Sequence, residues 1–442
     1  MAHVTPPVSG SGTGGTGASG STGGTSRSGG GADGGGDHGR AAAPPPRSTT
    51  PAAPARLAHV DTLRGFALLG ILIVNITFLA SAYRGAGLAE PGFDGPLDQA
   101  VRWIVAVLFE GKFFLLFSFL FGYGLTLQLA SAERRGTRFT PRFLRRLAGL
   151  FVLGALHAVL LFPGDILTTY AVLGLILLAL HRIRPRTAVR IAVTLLAVTG
   201  AAYALLAFAL RDTTGTSTAT LTAHAEAATE ALRGGPASVI GAHLDQLPDV
   251  AVMLVFFQAP AALAAFLLGL AAGRRRALAD PAEHPGALRR LQLWGLTAGL
   301  AGGVVYAHSA QPGQGTGYQV LGIGVDVVTA PLLAAAYAAT VLLLARRWRE
   351  HPVTALFTAA GRMTLTNYLT QSLVCALLFT GYGAGLVGQV SPAGLLALAL
   401  ALFTVQAAVC QWWLRHHPYG PAEWLLRAWS GLSRPDWRGR AR

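Results

Sequence analysis

The sequence predicts an all-α fold, a polytopic transmembrane helical bundle with about ten spans and with both termini in the cytoplasm. Three observations support this prediction. Hydrophobic residues make up 52% of the 442 residues and charged residues only 12%, against about 25% charged residues in an ordinary soluble domain. Long apolar runs recur along the chain, and arginines are concentrated in alternate connections between these runs.

The two ends of the chain differ in composition from the segment between them. Residues 1–55 are rich in Gly, Ser, Thr, Ala and Pro and poor in large apolar side chains, which predicts a disordered cytoplasmic tail. This tail lacks the short apolar stretch of a signal peptide. Residues 433–442 are predicted to be a basic cytoplasmic tail, so the transmembrane domain comprises 56–432. Cys375 and Cys410 both lie in apolar segments, which gives neither a disulfide framework nor a zinc pattern.

The spans follow from the apolar runs, because each crossing of the hydrocarbon core needs about 20 mostly apolar residues. The predicted spans are 65–83, 111–130, 147–162, 166–181, 187–210, 250–272, 291–308, 318–344, 363–382 and 393–414. The third and fourth spans are predicted to form a tight hairpin. Residues 97–109 are too short to cross alone and are predicted to form an interfacial or re-entrant helix.

The orientation follows from the arginines in the short connections. With a cytoplasmic N-terminal tail, the inner connections hold Arg134, Arg135, Arg138, Arg142, Arg145, Arg146, Arg182, Arg184, Arg186, Arg190, Arg274, Arg275, Arg276, Arg289, Arg290, Arg346, Arg347, Arg349 and Arg362. The outer connections hold only Arg84, Arg102, Arg211 and Arg233. The formal net charge of +15 therefore lies on one membrane face, where it meets anionic lipid head groups rather than nucleic acid.

The first span has a polar edge. At about 100° per residue, Asp61, Arg64 and Asn75 lie close to one stripe, with Asn75 about 16 Å deeper than Arg64. The stripe predicts a lined cavity whose side chains bind a substrate. Alternatively, Arg64 follows the positive-inside rule, Asp61 caps the helix and Asn75 hydrogen-bonds to another helix.

A second polar group precedes an aromatic run. Glu110 and Lys112 begin the segment "EGKFFLLFSFLFGYG". Ionisable groups at membrane depth cost a few kcal/mol and normally face a partner or water, which predicts a site with Glu110 as a catalytic group and Lys112 as a substrate ligand. Both side chains could equally be anchors at the membrane interface.

The predicted hairpin holds a histidine and a carboxylate. His157 and Asp165 can approach each other across it, and Tyr170 follows on the return helix. An imidazole exchanges protons near neutral pH and a carboxylate can orient its ring, so we predict a catalytic pair with Tyr170 as a substrate ligand. Alternatively, His157 is neutral and hydrogen-bonds between helices, while Asp165 caps the fourth span.

A fourth polar group, which forms a stripe, lies in the ninth span. Thr364, Asn367 and Gln371 stand at relative positions 0, 3 and 7, on one face of a helix. In lipid such a stripe must face protein or water. Contact of Asn367 and Gln371 with a substrate and hydrogen bonding between helices are both open interpretations.

The order of these segments is itself informative. The chain contains, in sequence, "VDTLRGFALLGILIVNI", "EGKFFLLFSFLFGYG", "LHAVLLFPGDILTTYAVLGL", "GRMTLTNYLTQSLVCALLFTGYGAGL" and "QWWLRHHPYGPAEWLLRAWS". This order resembles the bacterial YeiB-like integral membrane family, domain of unknown function 418, from about residue 56 to about residue 432. The opening "DTLRG" helix is similar to that of a broader set of membrane acyltransferases, which includes the lysosomal heparan glucosaminide acetyltransferase and bacterial O-acyltransferases.

The resemblance implies a multi-pass protein of the bacterial plasma membrane that transfers an acyl group from cytoplasmic acyl-CoA, as co-substrate, to an unknown small-molecule or glycan acceptor. Arg64, Arg145 and Arg146 would then meet the phosphates of CoA, with His157 as general base and Asp165 as its orienting group. The similar acyltransferases place a catalytic histidine shortly after the first helix. Here 76–100 contains no histidine, so the role of His157 rests on chemistry and placement.

The alternative function is transport or export of a small solute along the same polar stripes. His157, Asp165 and Glu110 would then couple movement of the solute to movement of protons. An obvious internal sequence repeat, which would favour an inverted-repeat transporter, is not present. The sequence also contains no HExxH, P-loop or EF-hand motif, so it predicts no metal site.

Overall fold

The computed structural model describes residues 58–213, 217–278, 285–311, 313–348 and 350–438. The described residues form helices and connections without a β-strand, which confirms the predicted all-α class. The predicted tail 1–55 lies outside the described residues, and so does the end of the predicted tail 433–442.

The helices follow one another through short connections. In chain order they are α1 (Ala58–Leu79), α2 (Ala82–Gly85), α3 (Pro96–Leu108), α4 (Lys112–Arg134), α5 (Phe139–Leu160), α6 (Leu167–Leu180), α7 (Pro185–Ala209), α8 (Thr218–Arg233), α9 (Pro236–Met253), α10 (Ala259–Arg274), α11 (Pro285–Ser309), α12 (Thr316–Arg347), α13 (Pro352–Arg362), α14 (Thr364–Phe379), α15 (Pro392–His416) and α16 (Pro421–Gly431). A π-helical segment, Leu254–Gln258, joins α9 to α10.

Among the described residues, seven helical segments are long and apolar enough to cross a membrane. They are Ala58–Leu79, Pro96–Arg134, Phe139–Leu160, Pro185–Ala209, Pro236–Arg274, Thr316–Arg347 and Pro392–His416. The protein is therefore a multi-pass membrane protein that contacts lipid. The three other predicted spans correspond to α6, α11 and α14, so the total of about ten spans and the cytoplasmic location of both termini stay predictions.

Two observed helices extend well beyond the predicted spans. α5 begins at Phe139, eight residues before the predicted start, because its first turns carry arginines that a search for apolar runs leaves out. α9 continues through the π-helical segment into α10, although Pro248 lies inside α9 and removes one backbone donor there. The part of α9 that precedes the predicted span 250–272 thus belongs to one long helical segment, Pro236–Arg274.

The core is built around α1, which packs against α4, α12, α13, α14 and α15. Its buried side chains include Leu63, Leu68, Leu72 and Ile76. Leu68, Leu72 and Ile76 belong to a cluster that also takes in Leu150 of α5. α1 and the helix that carries His157 thus contribute to the same apolar cluster.

The short helix α16 stabilises the first turn of α14 through hydrogen bonds. Glu423 accepts hydrogen bonds from the backbone N–H of Leu365 at 2.6 Å and of Thr366 at 3.2 Å, and from Thr366 Oγ1 at 2.6 Å. Burial raises the pKa of the Glu423 carboxyl, while these hydrogen bonds oppose the shift. The carboxylate supplies the capping acceptor that the first turn of α14 lacks locally.

We expect Glu423→Ala to lower the free energy of unfolding by about 1–3 kcal/mol, because two backbone donors of α14 lose their acceptor. The measurement is thermal unfolding of the detergent-solubilised protein. Glu133→Ala removes an exposed carboxylate from the end of α4 and serves as the matched control. Equal stability of the two variants would contradict a capping role for Glu423.

Candidate functional site

The hairpin between α5 and α6 brings His157 and Asp165 together. His157 Nδ1 lies 3.0 Å from Asp165 Oδ1, and each side chain is only 1% exposed. Asp165 Oδ2 accepts a hydrogen bond from the backbone N–H of Thr168 at 2.8 Å. The Asp165 carboxylate therefore faces the imidazole and also caps the start of α6. The sequence left open whether Asp165 is the partner of His157 or the cap of the fourth span, and its position agrees with both.

A glycine makes this approach possible. Gly154 lies one turn before His157 on α5. A Cβ atom at Gly154 would lie 2.5 Å from Asp165 Oδ2 and 2.7 Å from the backbone nitrogen of Thr168. Any larger residue would push α6 away from α5 and separate the histidine from its carboxylate.

The two ring nitrogens of His157 differ in what they face. Within the described part of the chain both are buried and neither makes a hydrogen bond of good geometry, but Nδ1 lies within ion-pair distance of Asp165. The ring of Tyr368 lies 4.9 Å from the imidazole, centroid to centroid. Buried polar atoms are normally paired, so an unpaired nitrogen in this position marks a place where another polar group can bind.

A small cavity adjoins the hairpin. Its volume is about 230 Å³, and the residues that line it come from α5, α6, their connection, α9 and the π-helical segment. The lining includes Ala155, Pro163, Thr168 and Leu247. Thr168 lines this largely apolar cavity, and its backbone N–H donates to Asp165. The cavity therefore lies next to the carboxylate that faces His157.

An arginine cluster lies at the start of α5. Arg64 Nη1 binds Asp61 Oδ1, three residues earlier on α1, at 2.9 Å. Electrostatic repulsion from Arg64 and from Arg427 of α16 acts on Arg146, whose guanidinium lies 5.8 Å from the Phe121 ring centroid. Arg427 also lies 4.2 Å from the ring centroid of Tyr419. Guanidinium groups that lie near one another bind phosphate and carboxylate oxygens well. The cluster is therefore suited to bind an anion.

The arginine cluster and the histidine are connected through α5. Arg146 and His157 are eleven residues apart, so they point in directions only about 20° apart around the helix. Their separation along the axis is about 16 Å. Leu150, buried between them, lies close to the same face. One face of α5 thus presents a positive charge at one end and an imidazole at the other.

Arg145 has a different position from its neighbour. Its Nε donates to the Ser430 carbonyl at 2.9 Å, and Trp429 Nε1 donates to the Arg145 carbonyl at 2.8 Å. Adjacent helical residues point about 100° apart. The hydrogen bonds of Arg145 therefore connect α5 to α16. Arg145 does not belong to the arginine cluster.

Lys112 belongs to a separate buried ion pair. Its side chain is 0% exposed, and Nζ lies 2.7 Å from Asp326 Oδ1 of α12. Nζ also donates to the Ala106 carbonyl at 3.3 Å. Gly111, with φ +78°, adopts the left-handed conformation that starts α4 here, and a Cβ atom at this position would lie 2.2 Å from Asp326 Oδ2.

Glu110 lies beside this ion pair and contacts neither His157 nor Asp165. It forms an ion pair with Arg84 and accepts a hydrogen bond from Tyr306 Oη at 2.9 Å. Arg84 belongs to a connection that the sequence treated only as an outer loop. The predicted catalytic role of Glu110 therefore has no geometric link to the histidine.

The remaining predicted ligands mostly bond to other helices. Tyr170 Oη donates to the Phe114 carbonyl at 3.0 Å and lies 2.7 Å from Ser118 Oγ. Asn367 Nδ2 donates to the Ala360 carbonyl at 3.1 Å, and Gln371 Nε2 donates to Gln406 Oε1 at 2.9 Å. For these three the structure shows interhelical hydrogen bonds.

Asn75 differs from these three residues. It is partly buried, and within the described residues its side chain makes no hydrogen bond. Its predicted contact with a substrate stays a prediction.

Sequence reasoning missed residues of these clusters, among them Asp326, Arg427 and Tyr368. Asp326 is a lone carboxylate in an apolar span, and an intramembrane charge is by itself a sufficient signal of a site. Arg427 and Tyr368 gave no such signal. Arg427 lies on a short helix outside the predicted spans, and Tyr368 is an aromatic residue in a helix where aromatic residues are common.

Comparisons with known proteins show which family the chain resembles. Residues 272–433 match the family model described as "Protein of unknown function (DUF418)". The "Uncharacterized protein YxaH" of Bacillus subtilis (strain 168) is 34% identical over 397 residues, which cover 86% of this chain and 95% of the relative. The chain belongs to the DUF418 family.

Two further relatives cover similar shares of the chain. The "Uncharacterized 39.9 kDa protein in amylase 3'region" of Bacillus acidopullulyticus is 28% identical over 84% of this chain and 93% of its own length. The "Uncharacterized protein YeiB" of Escherichia coli (strain K12) is 26% identical over 83% of this chain and 94% of its own length. The YeiB-like resemblance of the sequence motifs is thereby confirmed.

Proposed function

We propose that this chain is a membrane-bound acyltransferase of the bacterial plasma membrane that moves an acyl group from cytoplasmic acyl-CoA to an envelope acceptor. The observation that most supports this is the buried pair of His157 and Asp165, with Nε2 of the imidazole unpaired within the described residues. An imidazole oriented by a carboxylate at one nitrogen can act as a general base at the other.

In the proposed reaction the acceptor hydroxyl or amine binds at Nε2 of His157. Nε2 takes the proton while the acceptor oxygen or nitrogen attacks the carbonyl carbon of the thioester. The tetrahedral intermediate collapses, the C–S bond breaks and the sulfur leaves as a thiolate. The imidazolium returns its proton to the thiolate, so the products are the acylated acceptor and CoA, and His157 is regenerated.

The arginine cluster supports the choice of donor. Arg64, Arg146 and Arg427 offer guanidinium groups to phosphate oxygens, the acceptors that arginine binds best. The distance of about 16 Å along α5 suits a donor whose phosphates and reactive carbonyl are separated by a long flexible arm. Acyl-CoA has this form. Because His157 and Asp165 are 1% exposed, binding of the substrates requires displacement of side chains that cover the pair, such as Tyr368.

The test is transfer of labelled acetyl groups from acetyl-CoA in membrane vesicles of both orientations. We expect label to appear in lipid or glycan only when acetyl-CoA reaches the arginine-rich face. Vesicles from cells without the protein give the background. Absence of label above this background in both orientations, with the protein folded, would contradict acyl transfer.

Small-solute transport is a second candidate because of one observation. Two ion pairs, Lys112–Asp326 and Arg84–Glu110, lie together inside the helical bundle, and Tyr306 connects to the second pair. Intramembrane charges of this kind occur along proton pathways. Uptake or efflux driven by a proton gradient in vesicles, and lost in Asp326→Asn, would favour transport over acyl transfer.

A further inference from the structure

A larger cavity lies on the opposite side of α1 from the arginine cluster. Its volume is about 730 Å³, and it is bounded by the first turns of α1, the last turns of α12 and α15, and α13. Thr62 Oγ1 and Thr358 Oγ1, 2.9 Å apart, join α1 and α13 in its wall. Thr62 and Arg64 point about 160° apart around the helix, so the cavity is distinct from the proposed donor site.

The cavity combines positive charge with apolar walls. Arg346, Arg362 and Arg415 line it, one from each of α12, α13 and α15. Leucine and alanine side chains, such as Leu342 and Leu414, form much of the remaining wall. None of the described residues in its lining is acidic. A ligand that fits must therefore be anionic at one end and apolar at the other.

Exposed aromatic side chains surround the same ends of the helices. Trp348, directly after α12, is 44% exposed, and Trp412, near the end of α15, is 58% exposed. Tryptophan is enriched where membrane helices cross the level of the lipid head groups. The cavity thus opens at the depth where phospholipid phosphates lie.

We infer that this cavity binds the phosphate head group of an anionic phospholipid. Arg346 and Arg415 bind the phosphate, and the apolar wall takes up the first part of the acyl chains. A soluble phosphate would gain nothing from the apolar wall, whereas a lipid already lies at this depth. This site is independent of the proposed acyl transfer.

The test uses the full chain in neutral detergent with short-chain phosphatidylglycerol as the probe. We expect the lipid to raise the midpoint of thermal unfolding, and phosphatidylcholine of equal chain length to raise it much less. The double variant Arg346→Gln/Arg415→Gln should weaken the apparent affinity for phosphatidylglycerol by about tenfold or more. Arg186→Gln/Arg347→Gln removes the same charge from exposed positions outside the cavity and should retain the wild-type affinity.

Native mass spectrometry of the purified protein gives a second readout that does not depend on unfolding. The wild type should retain anionic lipid that the cavity double variant loses. Equal lipid affinity of the two double variants would overturn the inference. Equal stabilisation by inorganic phosphate alone, at the concentration that phosphatidylglycerol requires, would assign the cavity to a soluble anion and would also overturn it.

Discussion

Replacement of Asp326 by alanine is expected to lower the free energy of unfolding by about 3–5 kcal/mol, because it leaves a fully buried lysine without its counter-ion. Lys112 is 0% exposed, and its partner carboxylate lies at 2.7 Å. The Ala106 carbonyl, at 3.3 Å, is a weaker partner that cannot neutralise the ammonium charge. The cost therefore arises mainly from the charge left behind rather than from the lost contact.

Two further variants test this explanation. The double variant Lys112→Met/Asp326→Leu removes both charges and should recover much of the lost stability, since buried ion pairs are often replaceable by apolar residues. Asp212→Ala breaks an exposed ion pair, in which the aspartate side chain is 82% exposed, and should leave stability nearly unchanged. Thermal unfolding in detergent measures all three. If Asp326→Ala and Asp212→Ala lowered the free energy of unfolding equally, this would contradict the claim that Lys112 and Asp326 form an ion pair buried away from water.

Replacement of His157 by glutamine is expected to reduce acyl transfer by about 10²–10⁴-fold, the range typical of a lost general base. Glutamine retains an N–H group that can face Asp165, so the fold should persist. The Nε2 lone pair is lost, and with it the group that removes the acceptor proton. Transfer of labelled acetyl groups by purified protein in vesicles measures the effect.

The matched control is His224→Gln, which changes an exposed histidine on α8. This variant should transfer at the wild-type rate. Size-exclusion behaviour and thermal unfolding show whether the His157 variant is folded. A folded His157→Gln protein with the wild-type rate would remove His157 from the mechanism, even if acyl transfer itself were observed.

Local sequence patterns predicted the fold well. Long apolar runs identify membrane helices because the bilayer requires backbone hydrogen bonds to be satisfied within each segment. The approach of His157 to Asp165 was also predictable, since a short hairpin leaves the two residues few other positions. Asp61 and Arg64, three residues apart on one helix, pair for the same local reason.

Contacts between distant segments could not be predicted in the same way. Arg145 and Arg146 are chemically identical neighbours, yet one binds the Ser430 carbonyl and the other joins the arginine cluster. Which of them faces α16 depends on the rotation of α5 in the bundle. Asp326 pairs with a lysine more than two hundred residues earlier, a contact that only packing of α4 against α12 creates.

Polar stripes were the least specific signal. Asn367 and Gln371 lie on one face of α14, as predicted, but they donate to Ala360 and Gln406 of neighbouring helices. A stripe facing a cavity and a stripe facing another helix have the same spacing in the sequence. The difference appears only when the partner helix is known.

The most direct test of the central claim is the dependence of acetyl transfer on acetyl-CoA concentration in the wild type, Arg146→Gln and His157→Gln. If α5 binds the donor phosphates at one end and activates the acceptor at the other, Arg146→Gln should raise KM for acetyl-CoA with kcat nearly unchanged. His157→Gln should lower kcat with KM nearly unchanged. Wild-type values of both constants in both variants, with the proteins folded, would contradict the account.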